Sequence, residues 1–191
     1  MEEILTYERD LFFWLNGTHT AFLDTVMWSF KGVYIWLPAF FVPVYFFFRR
    51  RRECLPATLA ICLMFALACV IPAYFFKPVF ARFRPTNHPL FMDYITLLNG
   101  YKAGGLYGFI SGHATNAFGY ATLSSLLVKN RIYTFAIFLW AILMAYSRVY
   151  MGAHFLSDVV AGLFVGILLG WAIYALYRYW ISRHTINHCI S

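Results

Sequence analysis

Charged residues are scarce in this 191-residue sequence: Asp, Glu, Lys and Arg together make up 12% of it, and hydrophobic residues make up 62%. A soluble domain carries about 25% charged residues. Several stretches approach the roughly 20 apolar residues that a helix needs to cross a bilayer. The composition therefore excludes an ordinary soluble domain and predicts one integral-membrane domain that comprises residues 1–191.

Acidic residues are the scarcest charged class, with 8 Asp and Glu against 15 Lys and Arg, a formal net charge of +7. A site with two catalytic metal ions normally needs a cluster of carboxylates, which this chain cannot readily supply, so the sequence predicts no metal and no other cofactor. The excess of basic residues is expected in loops that flank membrane helices. Binding of nucleic acid would need a basic polar surface, which is also lacking.

Five apolar stretches predict membrane-spanning helices, at about 32–48, 56–76, 114–128, 133–147 and 159–177. In residues 1–30, apolar residues recur at helical spacing and are interrupted by charged residues. This pattern predicts two amphipathic helices on the membrane surface. A sixth span near 11–30 is the alternative, and it would have to bury Asp24. The predicted fold is all-α: a polytopic transmembrane bundle of about five or six spans.

Basic residues are concentrated in alternate connections of the five-span arrangement. They occur as RRRR at 49–52, in the connection near 129–131, and after the last span, where a tail is predicted at 181–191. The positive-inside rule places these segments in the cytoplasm. The 77–113 and 148–158 connections then face the periplasm or the exterior.

The polar side chains that could take part in a reaction lie in these two outer connections. Packed helices could bring them into one pocket although they are far apart in the sequence. They are Lys77, Arg84, Ser111, Gly112, His113, Arg148, His154 and Asp158.

Such a pocket would suit a phosphate group. Lys77, Arg84 and Arg148 face almost no opposing acid, and an arginine fork matches phosphate oxygens in bidentate fashion. Residues 111–113 open a predicted helix, whose free backbone N–H groups favour an anion.

The spacing of a histidine and an aspartate favours a reaction in which the histidine is the nucleophile. His154 and Asp158 are four residues apart, and therefore share a helical face. A carboxylate bonded to one ring nitrogen fixes the tautomer and leaves the other nitrogen free to attack. His113 could then protonate the leaving oxygen as general acid.

Three motifs in this order resemble the type 2 phosphatidic acid phosphatase (PAP2) superfamily, which also includes vanadium haloperoxidases. They are K-x6-RP at 77–85, SGH at 111–113 and SR-x5-H-x3-D at 147–158. The resemblance implies a helical-bundle phosphatase in which His154 forms a phosphohistidine that water cleaves. It assigns Asp158 to orienting His154, and His113 to protonating the leaving group. The residues that would hold the phosphoryl oxygens are Lys77, Arg84, Ser111, Gly112 and Arg148.

One position departs from the family pattern. The middle motif usually reads PSGH, and Ile110 stands here in place of the proline. The change affects the backbone before the helix and no reacting group.

The function that the resemblance implies is hydrolysis of a lipid phosphate at the outer face of a bacterial inner membrane. Candidate substrates are undecaprenyl pyrophosphate, phosphatidic acid or phosphatidylglycerophosphate, and lipid A phosphates. A lipid phosphotransferase would use the same residues, and a non-catalytic lipid transporter is a third possibility. The sequence leaves the lipid and the oligomeric state open.

Three features have no role in this scheme. Arg82, inside the first motif, is interpreted as an interfacial anchor. His19 has no evident partner. The long 86–109 connection could be a mobile cover over the headgroup or an ordinary surface loop.

Overall fold

The structure, a computed structural model, describes residues 2–90, 92–101 and 103–190. Phe91 and Lys102, in the predicted 86–109 connection, lie outside the described residues. The described residues confirm the all-helical prediction: they contain no strand, and an isolated β-bridge joins Phe83 and Tyr107. The α-helices are α1 (Glu2–Asn16), α2 (Ala21–Ser29), α3 (Phe41–Arg49), α4 (Arg51–Val70), α5 (Lys77–Phe80), α6 (Gly112–Val128), α7 (Arg131–Tyr150) and α8 (Leu156–Ile190).

The first two helices confirm the prediction of two helices in residues 1–30. Thr20 caps α2, where its side chain accepts a hydrogen bond from the backbone N–H of Leu23. Phe12 of α1 is fully buried in the main core, so α1 packs against the bundle through at least one apolar side chain. Whether these helices lie on the membrane surface stays a prediction.

Asp24 is held within the protein by two partners. Its Oδ1 atom lies 2.6 Å from the Tyr150 hydroxyl and 2.6 Å from Nδ1 of His19. The structure thus supplies the partner for His19 that the sequence did not reveal, because the three residues come from different elements. The two hydrogen bonds of Asp24 hold the turn between α1 and α2 against the end of α7.

One long helical segment runs from Arg51 to Phe80 and places Lys77 near its end. The π-helical turn Ile71–Phe76 joins α4 to α5. Pro72 lies in this turn and lacks a backbone N–H, which accounts for a local departure from regular α-helical bonding. The basic RRRR connection therefore lies at the opposite end of this segment from Lys77.

The tightest helix packing joins α6 to α8 through glycine. A Cβ atom on Gly166 would lie 2.6 Å from the carbonyl oxygen of Thr115, and one on Gly170 would lie 2.5 Å from that of Gly119. Small residues at four-residue spacing thus let the two backbones touch. At the polar end of the pair, the backbone N–H of Ser111 donates to the carbonyl of Asp158 at 3.0 Å. The starts of both helices are therefore fixed relative to each other.

Three helical segments in the described part of the chain are long and apolar enough to cross a membrane: Arg51–Phe80, Arg131–Tyr150 and Leu156–Arg183. A fourth results if the bent pair Ala21–Ser29 and Val33–Arg49 is one span. The 17-residue helix α6 lies among these helices and is largely buried. Helix α8 continues to Ile190, so the predicted tail at 181–190 extends the last helix and is not a separate segment.

Candidate active site

A cavity of about 770 Å³ gathers most of the predicted site residues. Six of the eight line it: Lys77, Arg84, Gly112, His113, Arg148 and His154. The other two, Ser111 and Asp158, are fully buried and are not among its lining residues. One wall of the cavity is apolar and is formed by side chains that include Trp36, Phe40, Phe65 and Pro72.

His154 lies in the turn between α7 and α8, with only 2% of its surface exposed. Gly152 adopts a φ of 73° in this turn, a conformation that favours glycine. Nδ1 of His154 lies 3.4 Å from Oδ2 of Asp158, in the first turn of α8. The structure therefore places the two residues in contact, although His154 precedes α8 and does not share a helical face with Asp158 as the spacing predicts.

The contacts of His154 define its tautomer. Nη1 of Arg84 lies 2.9 Å from Nε2 of His154. A guanidinium can only donate hydrogen bonds, so Nε2 must be the acceptor nitrogen and the ring proton must reside on Nδ1, facing Asp158. This is the tautomer in which Nε2 carries the lone pair needed for attack.

The expectation that Nε2 is free is wrong in this structure, because Arg84 occupies it. Arg84 is held there by the carbonyl oxygens of Gly105 and Ala153, each 3.0 Å from its guanidinium nitrogens. Attack by Nε2 would require Arg84 to release this nitrogen. Charged phosphate oxygens are stronger acceptors for a guanidinium than a neutral imidazole is, so a bound phosphate could draw Arg84 away.

The remaining cavity groups differ in how firmly they are held. Arg148 is anchored by the carbonyl oxygen of Phe30 at 2.7 Å and by the hydroxyl of Ser147 at 3.1 Å. Ser111 caps α6, and its hydroxyl accepts from the N–H of Ala114 at 3.4 Å. Ser111 thus supports the helix start, and the neighbouring Gly112 backbone faces the cavity.

Two predicted groups are exposed in the cavity. A Cβ atom on Gly112 would meet no atom within 4 Å, so a ligand can approach the backbone at the start of α6 closely. His113 also lines the cavity, and its ring lies 6.3 Å from the ring of Trp36. Its position fits proton transfer to a group bound in the cavity, and this role stays a prediction.

The interpretation of Arg82 as a membrane anchor is wrong. Its guanidinium lies 3.0 Å from Oδ1 of Asp158 and 2.7 Å from Oε2 of Glu8. No local signal in the sequence marks this role, because both partners are far from Arg82 along the chain.

Gly108 is a second residue that the motifs do not reveal. A Cβ atom there would lie 3.0 Å from Oδ2 of Asp158 and 3.5 Å from Nδ1 of His154. Its N–H donates to the carbonyl of Arg82 at 2.8 Å. The end of the 86–109 connection therefore passes directly over the histidine–aspartate pair, and Tyr101 and Gly104 of the same connection line the cavity.

Burial lowers the pKa of His154 to about 4, and the bond to Asp158 acts in the opposite direction. The usual pKa of histidine is about 6.5, so we expect the ring to stay neutral from pH 7 to pH 5 and to gain a proton only near pH 4. Solution NMR of ¹⁵N-histidine-labelled protein in detergent would show this, with the His154→Gln variant assigning the resonance. The expected spectrum at pH 7 is that of a neutral ring protonated on Nδ1. A midpoint near 6.5 or a ring protonated on Nε2 would contradict the assignment.

The fold and the site together define a membrane phosphatase: apolar helices surround a cavity lined by His154, a lysine and two arginines, and the buried Asp158 contacts His154. The family model for the PAP2 superfamily matches residues 57–182. The chain belongs to this superfamily and is a lipid phosphatase, which confirms the resemblance seen in the three motifs.

Two curated relatives resemble the chain over most of its length. It is 39% identical over 185 residues to the lipid A 4'-phosphatase of Porphyromonas gingivalis, a match that covers 96% of this chain and 78% of that protein. It is 33% identical over 178 residues to the lipid A 4'-phosphatase of Bacteroides thetaiotaomicron, covering 91% of this chain and 78% of that protein.

A solved structure has the same fold. The crystal structure of the PAP2-type phosphatidylglycerolphosphate phosphatase from Bacillus subtilis matches with a TM-score of 0.72 and covers 94% of this chain and 88% of its own. Its sequence identity to the chain is 21%, so this likeness concerns the fold alone.

Proposed function

We propose that this enzyme removes the 4'-phosphate of lipid A by way of a phosphohistidine on His154. The observation that carries the proposal is the buried pair of His154 and Asp158, which opens onto a cavity with both cationic and apolar walls. The choice of lipid A is supported by the two relatives named lipid A 4'-phosphatase.

The apolar wall of the cavity suits a lipid substrate. Trp36, Phe40 and Phe65 lie on the same cavity as the lysine and arginines. A phosphate can therefore reach His154 while the attached acyl chains remain in an apolar environment. The RRRR connection lies at the other end of the Arg51–Phe80 segment, which supports an active site facing the periplasm of a bacterial inner membrane.

The first step forms a bond between Nε2 of His154 and phosphorus and breaks the bond between phosphorus and the lipid oxygen. The leaving oxygen takes the electron pair of that bond and a proton from His113. Asp158 stabilises the positive charge on the His154 ring. Lys77, Arg84 and Arg148 stabilise the negative charge on the phosphoryl oxygens.

The second step regenerates the enzyme. Water attacks the phosphorus atom while His113 accepts a proton from it, and the bond between phosphorus and Nε2 breaks. Inorganic phosphate leaves with the water oxygen, and His154 recovers its lone pair. The scheme balances without a metal ion, and in the described part of the chain no three His, Cys, Asp or Glu side chains form a cluster that could bind one.

The test is phosphate release in detergent micelles that contain EDTA. The panel comprises lipid A, undecaprenyl pyrophosphate, phosphatidic acid and phosphatidylglycerophosphate, with mass spectrometry to locate the phosphate lost from lipid A. We expect release from the 4' position of lipid A at the same rate with and without EDTA. Preference for another lipid would refute the proposed substrate, and loss of activity in EDTA that returns with added metal would refute the metal-free scheme.

Phosphotransfer to a second lipid would use the same residues, and stoichiometry separates it from hydrolysis. Hydrolysis yields one inorganic phosphate for each lipid A molecule that loses a phosphate. Dephosphorylated lipid A without a matching amount of free phosphate would indicate transfer to an acceptor.

A further inference from the structure

The residue before helix α8 is Phe155, whose side chain cannot cap the helix. Two carboxylates take over this task. Oδ2 of Asp158 accepts from the N–H of Phe155 at 3.1 Å, and Oε1 of Glu8 accepts from the N–H of Ser157 at 3.0 Å. Carboxylates at a helix N-terminus satisfy free N–H groups and interact favourably with the helix dipole. Glu8, which belongs to α1, thus caps a helix that starts 148 residues later in the chain.

Arg82 joins these two carboxylates. Its Nη2 donates to Oε2 of Glu8 at 2.7 Å, and its Nη1 donates to Oδ1 of Asp158 at 3.0 Å and also bonds the hydroxyl of Ser157. The guanidinium also lies over the ring of Phe155, 4.5 Å from its centroid. Arg82 is therefore held on several sides, in a geometry that only a planar cation with several donors can satisfy.

The two carboxylate oxygens of Asp158 therefore have different partners. Oδ1 receives Arg82, while Oδ2 receives Phe155 and faces Nδ1 of His154. Asp158 is fully buried, so no solvent is at hand to replace a lost partner. A carboxylate that loses its Oδ1 partner can rotate toward other donors and withdraw Oδ2 from His154.

We propose that Arg82 and Glu8 are positioning residues for the reaction: Arg82 fixes the Asp158 carboxylate so that it orients His154, and Glu8 fixes Arg82. Helix α1 then contributes to the active site through Glu8. The inference rests on the proposed function, because it acts through His154 as the nucleophile. Neither residue lines the main cavity, so the pair should influence kcat and leave substrate binding alone.

We expect Arg82→Ala to lower kcat by about 10- to 100-fold, the usual cost of removing a group that orients a reacting side chain, with KM nearly unchanged. Arg82→Lys, which keeps the charge, should recover part of the loss, and Glu8→Gln should cause a smaller loss than Arg82→Ala. The matched control is Arg9→Ala, because Arg9 is the next residue after Glu8 and forms an exposed ion pair with Asp10. It should retain wild-type kcat.

A double-mutant cycle shows whether Arg82 acts through Asp158. If it does, adding Arg82→Ala to an Asp158→Asn enzyme should cost little further activity, because the carboxylate to be oriented is already gone. A full, additive loss in that background would overturn the positioning role and assign Arg82 to stability elsewhere. A rise in KM with unchanged kcat would overturn it as well.

The NMR signal of His154 provides a readout that needs no substrate. In Arg82→Ala, or in Arg82→Lys and Glu8→Gln if the alanine variant does not fold, the Nδ1 resonance should shift or broaden, while Arg9→Ala leaves it unchanged. An unperturbed resonance would refute the inference even if no lipid of the panel is hydrolysed. Conversely, normal kcat in Arg82→Ala together with an inactive His154→Ala would leave the proposed function standing and remove only the positioning role.

Discussion

His154→Ala is expected to abolish phosphate release from the lipid substrate, with a loss of at least about 10³-fold. The substitution removes the only protein atom that bonds to phosphorus in the scheme, and the cationic groups that remain can bind a phosphate but cannot cleave it. The measurement is inorganic phosphate release in micelles under saturating lipid.

The control for this variant is a second histidine in the outer connections. His88 lies outside the main cavity, and His88→Ala should retain activity. Thermal unfolding in detergent should show that His154→Ala is folded. A folded His154→Ala protein that still turns over substrate would eliminate the phosphohistidine mechanism. The third possibility raised by the sequence, a lipid transporter, would be favoured if lipid movement survived in this variant.

Asp158→Asn is expected to lower kcat by about 10²- to 10⁴-fold, as in other histidine–aspartate pairs whose carboxylate is replaced by an amide. The amide can donate a hydrogen bond to Nδ1 of His154 and so favour the tautomer with its proton on Nε2, which cannot attack. The substitution also removes the negative charge that stabilises the His154 ring during transfer and that pairs with Arg82.

Asp93→Asn is the matched control, because Asp93 is the other acidic residue of the outer connections and does not line the cavity. It should behave as wild type. The ¹⁵N spectrum of His154 in Asp158→Asn should shift toward the other tautomer. Near-normal kinetics in this variant would mean that Asp158 does not orient the nucleophile and serves only as part of the cap on α8.

Contacts between residues that are close in the sequence can be predicted from it, and contacts between residues that are far apart cannot. The glycines at 162, 166 and 170 recur at four-residue spacing, a local pattern typical of close helix packing, and in the structure they lie against α6 and the residue before it. His154 and Asp158 are close in the sequence, so their contact is local, although His154 lies in the turn before α8 and only Asp158 lies on the helix. Arg82 was misinterpreted because its partners, Glu8 and Asp158, are 74 and 76 residues away.

The sequence by itself determined the membrane class of the protein, its helices and the three motifs that identify the PAP2 superfamily. These features depend on composition and on spacing along one helix or turn, which local geometry decides. The tertiary structure alone decided that Arg84 occupies Nε2 of His154, that Gly108 passes over the catalytic pair, and that Glu8 caps α8. Each of these contacts depends on how separate elements pack. The periodicity of the sequence does not show which polar groups still lack a hydrogen-bond partner before the elements have packed.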